Sequence, residues 1–298
     1  MIDELDKINI LDAKIGFDGT SFVFLTDIHY PNNTKKSPEL IREIIKGSAV
    51  RKVVCGGDII NSYYDNHDAA ILEGSAWQKL MSGNNPVTLF GNHEALYQNA
   101  SEADFYGIYC RPVEESVDFA KPNHVYGYRD DNAQKIRMIF LNTKGSSVTM
   151  GSAQLTWFKE RLTELESGWK VIVFAHKFFT VQDRQEWTAE AIIWDDNGTA
   201  IEGAINEVIG NMSAKIIAII SGHCHYDYSE TSANGYPIIA TTCDAYGQQI
   251  TIQGQTPLTR TPGTVSEQAF DVVHIDTSAK KVYMTRIGAG NDREFSYT

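Results

Sequence analysis

Short apolar runs alternate along the chain with segments whose apolar residues recur every three or four positions. The runs in "SFVFLTD" (21–27), "KVVCGGD" (52–58), "PVTLFGN" (86–92), "WKVIVFAH" (169–176) and "AKIIAIISGH" (214–223) are compact and rich in β-branched and aromatic residues, and they read as buried strands. Between them, "SPELIREIIKG" (37–47) predicts a helix with Ser37 at its N-cap, Pro38 in its first turn and Gly47 at its end. A second helical stretch falls within 66–82, and another is expected around 200–210. "SAQLTWFKERLTELES" (152–167) sets Leu155, Phe158, Leu162 and Leu165 on one helical face. Towards the end, "GYPIIATT", "AFDVVHID" and "KVYMTRIG" read as strands joined by turns, with no helices between them. Strand–helix alternation followed by a strand-rich tail predicts an α/β sandwich with added antiparallel strands. No repeat, low-complexity block or long linker divides the sequence, so residues 1–298 are read as a single domain.

Composition narrows the class. A hydrophobic share of 42% and a charged share of 21% suit a folded globular chain, and no apolar run of ~18 residues is present to form a membrane span. The opening "MIDELDKINILDAKIG" lacks the basic-then-apolar layout of a secretory signal, so a cytoplasmic location is expected. Reduced thiols at Cys55, Cys110, Cys224 and Cys243 follow from the same reading, since their spacing pairs none of them. A net charge of −12 argues against broad binding to nucleic acid or to anionic membranes. It leaves room for a local positive centre, which bound cations would create.

The candidate chemistry lies just past the strands. Asp27 and His29 follow the first run, Asp58 the second, Asn92 and His93 the third, His176 the fourth, and His223 and His225 the fifth. Five of the 8 histidines therefore sit where open α/β sheets bind ligands, beyond the carboxyl ends of strands. Imidazole, carboxylate and amide oxygen without clustered thiolates make a mixed N/O donor set, better suited to Mn, Fe, Zn or Ni than to Ca or a structural zinc. Gly56, Gly57, Gly91 and Gly222 beside these residues permit tight turns and close backbone approach.

The ordered set Asp-x-His, Gly-Asp, Gly-Asn-His-Glu, a lone His after a strand and Gly-His-x-His resembles the calcineurin-like metallophosphoesterase superfamily, over residues 27–225. The resemblance implies a four-layered αββα sandwich with two central mixed β-sheets and a metal site at the C-terminal ends of strands, with 21–245 as the core and 246–298 as an extension completing the second sheet. It implies two divalent metal ions. Asp27, His29 and His225 would hold one, Asn92, His176 and His223 the other, and Asp58 would bridge them. It further implies hydrolysis of a phosphoester by an activated hydroxide, with His93 as the general acid.

Departures from subfamily patterns refine this. The protein Ser/Thr phosphatases carry an acidic residue where this chain has Asn61 and an Arg where it has Phe90; purple acid phosphatases need a Tyr ligand at the position of Asn61. The expectation is thus a phosphodiesterase or phosphomonoesterase acting on a small or exposed substrate. A nuclease and a catalytically silent binding scaffold are the alternatives; the absence of a Lys/Arg-rich stripe weighs against the first, and the full motif set against the second. Outside the motifs, His67, His124 and His274 read as structural or exposed, and Cys224 as pointing into the core. Trp187, Trp194, Asp195 and Asp196, within 180–200, suit either a lid or a self-packed insertion. "TRIGAGNDREF" (285–295) reads as a structural turn, because a phosphate cradle would need a helix after it.

Overall fold

Strand β1 (Gly19–Leu25) is apolar from Phe22 to Leu25, where both of its faces are covered. Side chains alternate along a strand, and here Phe22 and Phe24 point to one buried layer while Val23 and Leu25 point to another. The computed structural model describes residues 2–16, 18–31, 36–61, 67–95, 101–120, 124–143, 150–178, 197–246 and 258–298. Trp187, Trp194, Asp195 and Asp196 lie outside the described residues.

Two mixed sheets form the centre. One has six strands in the order β13 (Arg293–Ser296), β12 (Lys281–Gly288), β11 (Ala269–Asp276), β1, β2 (Val53–Cys55) and β3 (Val87–Thr88). The other has seven, in the order β4 (Asp118–Phe119), β5 (Gly127–Asp131), β6 (Ile136–Leu141), β7 (Lys170–Ala175), β8 (Lys215–Ser221), β10 (Pro237–Ala240) and β9 (Tyr228–Thr231). β1, β2 and β3 run parallel, as do β6, β7, β8 and β10, and antiparallel strands complete each sheet. The C-terminal strands β11–β13 join the sheet begun by β1, where β11 pairs antiparallel with it from Gly19↔Asp276 onward. They do not extend the sheet formed by the middle of the chain.

Three apolar layers separate four structural ones. Phe22, Phe24, Phe140, Ile172, Phe174 and Ile217 fill the space between the sheets. Phe174 sits edge-on to Phe22 at 5.5 Å and stacked on Phe140 at 5.3 Å, each such ring contributing roughly 1.5–3 kcal/mol by burial. Outside the six-stranded sheet lie α1 (Ile2–Ile15), α2 (Ser37–Gly47) and α3 (His67–Leu80), which bury Ile8, Ile41, Ile44 and Trp77. Beyond the other sheet, Phe158 and Leu162 on α6 (Ser152–Thr163) and Ile201 and Ile205 on α7 (Asn197–Val208) do the same. Two one-turn helices, α4 (Asn92–Ala95) and α5 (Glu102–Phe105), follow β3, and Phe105 packs in the same apolar layer as Trp77. No helix among the described residues is long and apolar enough to cross a membrane.

Some local expectations change. The charged opening forms α1, held by buried Ile8 and by Asp12, which meets His274 Nε2 on β11 at 2.9 Å. Ser37 does not cap α2; its hydroxyl donates to Asp244 Oδ2 at 2.5 Å, and Lys36 flanks the helix without a side-chain cap. The run 86–92 is strand only at Val87–Thr88, after which the chain brings Gly91 against Asp58, three residues beyond β2.

Candidate metal centre

All eight residues singled out past the strands converge on the carboxyl ends of the two sheets. Asp27, His29, Asp58, Asn92 and His93 come from the six-stranded sheet, and His176, His223 and His225 from the other. Donor atoms of Asp27, His29, Asp58 and His225 lie within 4.8 Å of one another, and so do those of Asp58, His176 and His223. Asp58 belongs to both groups. His225 Nε2 is 3.1 Å from Asp27 Oδ1 and 3.2 Å from His29 Nε2. On the other side, His176 Nε2 is 3.2 Å from Asp58 Oδ2 and 3.1 Å from Asn92 Oδ1. His93 stands beside both, its Nε2 3.9 Å from Asp58 Oδ2 and its ring 4.4 Å from that of His29.

The backbone is bent to bring these atoms together. Asp27, His29, Asp58, His223 and His225 have φ of 53°, 49°, 50°, 69° and 59°, five of the eight non-glycine left-handed residues among those described. Such conformations cost of order 1–3 kcal/mol each and persist only where the surroundings enforce them. Here the enforcement is visible. Asp27 Oδ2 accepts from Thr26 Oγ1 at 2.7 Å and from the His223 N–H at 2.8 Å, and Asp58 Oδ1 accepts from the His93 N–H at 2.8 Å. His176 Nδ1 lies 2.7 Å from the carbonyl of Gly56, which makes it the N–H and leaves Nε2 to face Asp58.

Glu94 is the residue that motif reasoning undervalued. Its buried carboxylate accepts from four backbone N–H groups: Ile59 (2.6 Å) and Ile60 (3.2 Å) at Oε1, Gly91 (2.8 Å) and Asp58 (3.1 Å) at Oε2. It thereby fixes the loop that carries Asp58. The signal was in the sequence, in an acid placed three residues after Gly91. Glu94→Gln turns an amide towards those donors and leaves at least one unmet, so it should lower stability by roughly 1–3 kcal/mol, read by urea unfolding of the metal-free protein.

The remaining candidates fall elsewhere. Cys224 packs with Tyr226 and Ala240, its Sγ donating to the Tyr226 carbonyl at 3.4 Å, and joins neither donor group. His67 is exposed near Asp104, His124 lies 3.9 Å from Glu102, and His274 is buried against Asp12. Asn61 continues the strand contact past the site, its N–H donating to the Tyr30 carbonyl.

Electrostatics favours a set ready for cations. Burial would raise the carboxyls of Asp27 and Asp58, but nearby imidazoles, His225 for the first and His176 for the second, outweigh it and hold both below the usual range. Burial pushes His29 down to about 3 and His223 well down, leaving neutral rings with lone pairs to give. His176 goes the other way: burial opposes its charge, yet Asp58 raises it to about 9. A raised histidine contributes stability that is complete below its unfolded value near 6.5 and is lost as pH climbs towards 9; the depressed rings lose theirs as pH falls below 6.5. Chelator-treated protein should therefore be most stable near neutral pH, and His176→Gln should flatten the alkaline side of a urea-unfolding series from pH 5 to 9.

Comparison with known proteins bears on the family and the fold. No curated protein matches the chain. Among solved structures, a dimetal phosphatase from Danio rerio is 15% identical with a TM-score of 0.64, covering 94% of this chain and 99% of that one. Vacuolar Protein Sorting 29 from Cryptosporidium parvum is 11% identical (TM-score 0.40, 93% and 98% covered), and a phosphopantetheinyl hydrolase from Mycobacterium tuberculosis 10% (0.47, 76% and 90%). The first of these likenesses supports the two-sheet sandwich. The family model for calcineurin-like phosphoesterases matches residues 20–227, from the start of β1 to just past His225. That span takes in every strand end that contributes a donor, and the chain belongs to the calcineurin-like phosphoesterase family.

Proposed function

We propose that the chain is a metal-dependent phosphoester hydrolase, acting on a small or exposed phosphomonoester or phosphodiester. One observation carries the reading: two groups of N and O donors, each compact enough for one ion, share the carboxylate of Asp58. A shared carboxylate between two such groups fits a pair of divalent cations, and the absence of thiolate from both fits Mn, Fe, Zn or Ni. Asp27, His29, Asp58 and His225 would hold one ion, and Asp58, Asn92, His176 and His223 the other. Cations bound there supply Lewis-acid polarisation of a phosphoryl group and acidify a coordinated water.

The protein's own groups supply the rest. His93 lies at the mouth, its side chain 16% exposed, close enough to Asp58 to face the same phosphoryl group. We assign it to protonating the leaving oxygen. Burial pushes this ring towards its neutral form, while the charges of Asp58 and Asp27 pull it back. Burial prevails and the ring is held below the usual histidine range, which makes a proton on His93 easy to give up. His93→Ala should lower kcat by about 10²–10⁴ while leaving cation affinity intact.

The test is an assay of Mn²⁺-loaded protein on bis-p-nitrophenyl phosphate, p-nitrophenyl phosphate and single-stranded DNA, alongside His93→Ala. Turnover of either nitrophenyl ester, lost in the variant, supports the reading. Cleavage of DNA alone would make the protein a nuclease. Bound Mn²⁺ with no turnover of any substrate would make it a binding scaffold.

A further inference from the structure

The candidate site is split between two sheets, so its geometry depends on how firmly one sheet is held to the other. His225 must reach from the end of β8 to Asp27 and His29 at the end of β1, and its own backbone and that of His223 are left-handed. Strain of that kind needs an external anchor. Towards β1, the His223 N–H is held by Asp27. The other end of the turn is held by Asp227, two residues beyond His225.

Asp227 Oδ1 accepts from the Thr242 N–H at 3.1 Å and from Arg286 Nη2 at 2.7 Å, with Arg293 Nη1 at 3.2 Å. Thr242 Oγ1 in turn donates to the carbonyl of His225 itself, at 2.9 Å. Both arginines belong to the other sheet, Arg286 on β12 and Arg293 on β13. Each also meets Asp271 on β11: Arg286 Nε at 2.9 Å to Oδ1, and Arg293 Nη2 at 2.8 Å to Oδ2. Arg293 further donates to the Ala240 carbonyl and to Thr241 Oγ1, which donates to Asp271. Two guanidinium groups and two carboxylates thus alternate in a neutral ring, with the side chains of Arg286 and Asp271 only 1% and 0% exposed.

Paired, hydrogen-bonded charges this deeply buried are directional and stiff, and the loss of one partner leaves the others unmet. The "RIGAGNDR" stretch finds its place here. Gly290 (φ 112°) lies so close to Arg286 that a Cβ would sit 2.7 Å from Nη1, and Asp292 Oδ1 accepts from the Arg286 N–H at 3.0 Å. The turn is folded around an arginine of its own chain.

We infer that Asp227, Arg286, Arg293 and Asp271 form an inter-sheet clamp that positions His225, and so tunes one of the two cation sites while leaving the other alone. The inference rests on the two-cation reading above, and its test separates the two. Mn²⁺ dissociation constants are measured by calorimetry and electron paramagnetic resonance for wild type, Asp227→Asn and Arg293→Gln, with His225→Ala and His176→Ala marking which constant belongs to which site. The expected result is that Asp227→Asn weakens one constant about ten- to a hundredfold, the one that His225→Ala removes, and keeps the other within about twofold. Arg293→Gln, at a partly exposed position, should show the same split to a smaller degree, and Arg293→Lys should recover part of it. Phe158→Leu, destabilising behind the seven-stranded sheet, should leave both constants alone. Both constants moving together, neither moving, or a shift in the His176 site would overturn the clamp with the two-cation reading intact. A wild type that binds no Mn²⁺ pair would overturn both.

Discussion

Asp58→Asn is expected to lower kcat/KM by about 10³-fold or more, because a shared carboxylate holding two cations is worth several kcal/mol to the transition state. The amide keeps the size of the side chain and one oxygen, so the loop has no steric reason to move. It removes the negative charge that both donor groups share, and with it the partner that keeps His176 protonated in the metal-free protein. Loss of activity should therefore come with weaker cation binding at both sites. A variant with near-normal kcat/KM would place the chemistry elsewhere on the surface.

Gly91→Ala should have an effect of comparable kind without touching a donor. A Cβ at this position would overlap both Oδ1 and the backbone nitrogen of Asp58, and would lie 2.8 Å from Glu94 Oε2. Either the Asp58 loop moves or the Glu94 hydrogen bonds break. A displacement of about 1 Å in a reacting constellation lowers rates on the order of 10²-fold, and overpacking of this sort destabilises by typically 1–3 kcal/mol. Steady-state kinetics and a urea titration on the same preparation should show both losses together. Normal kinetics with lowered stability would mean that the loop absorbs the methyl group without disturbing Asp58.

The residues that converge on the candidate centre were legible because each is a polar residue just past an apolar strand, a local pattern that survives without any knowledge of partners. The α/β sandwich was legible for a related reason: runs such as "VIVFA" (171–175) are apolar at every position, which requires cover on both faces, whereas the two central sheets were implied by the family resemblance. What escaped was whatever depends on distant pairing. The charged opening gave no sign that Ile8 would turn inward and that Asp12 would find His274, a residue 262 positions away. Ser37 looked like a helix cap on local grounds, but its hydroxyl goes to Asp244, 207 positions on. The tie between Asp227 and Arg286 spans 59 residues and two sheets. The left-handed backbone at these positions was likewise hidden: Asp and His are enriched at positive φ, but most of them do not adopt it, so residue type alone does not mark the positions.

The central claim is that Asp58 joins two cation sites into one centre, and counting ions tests it most directly. Native mass spectrometry of Mn²⁺-loaded protein, with metal content checked by inductively coupled plasma analysis, should find two ions per chain in the wild type and fewer in Asp58→Asn at the same free Mn²⁺. Two ions retained with equal affinity by Asp58→Asn, or none in the wild type, would contradict the account.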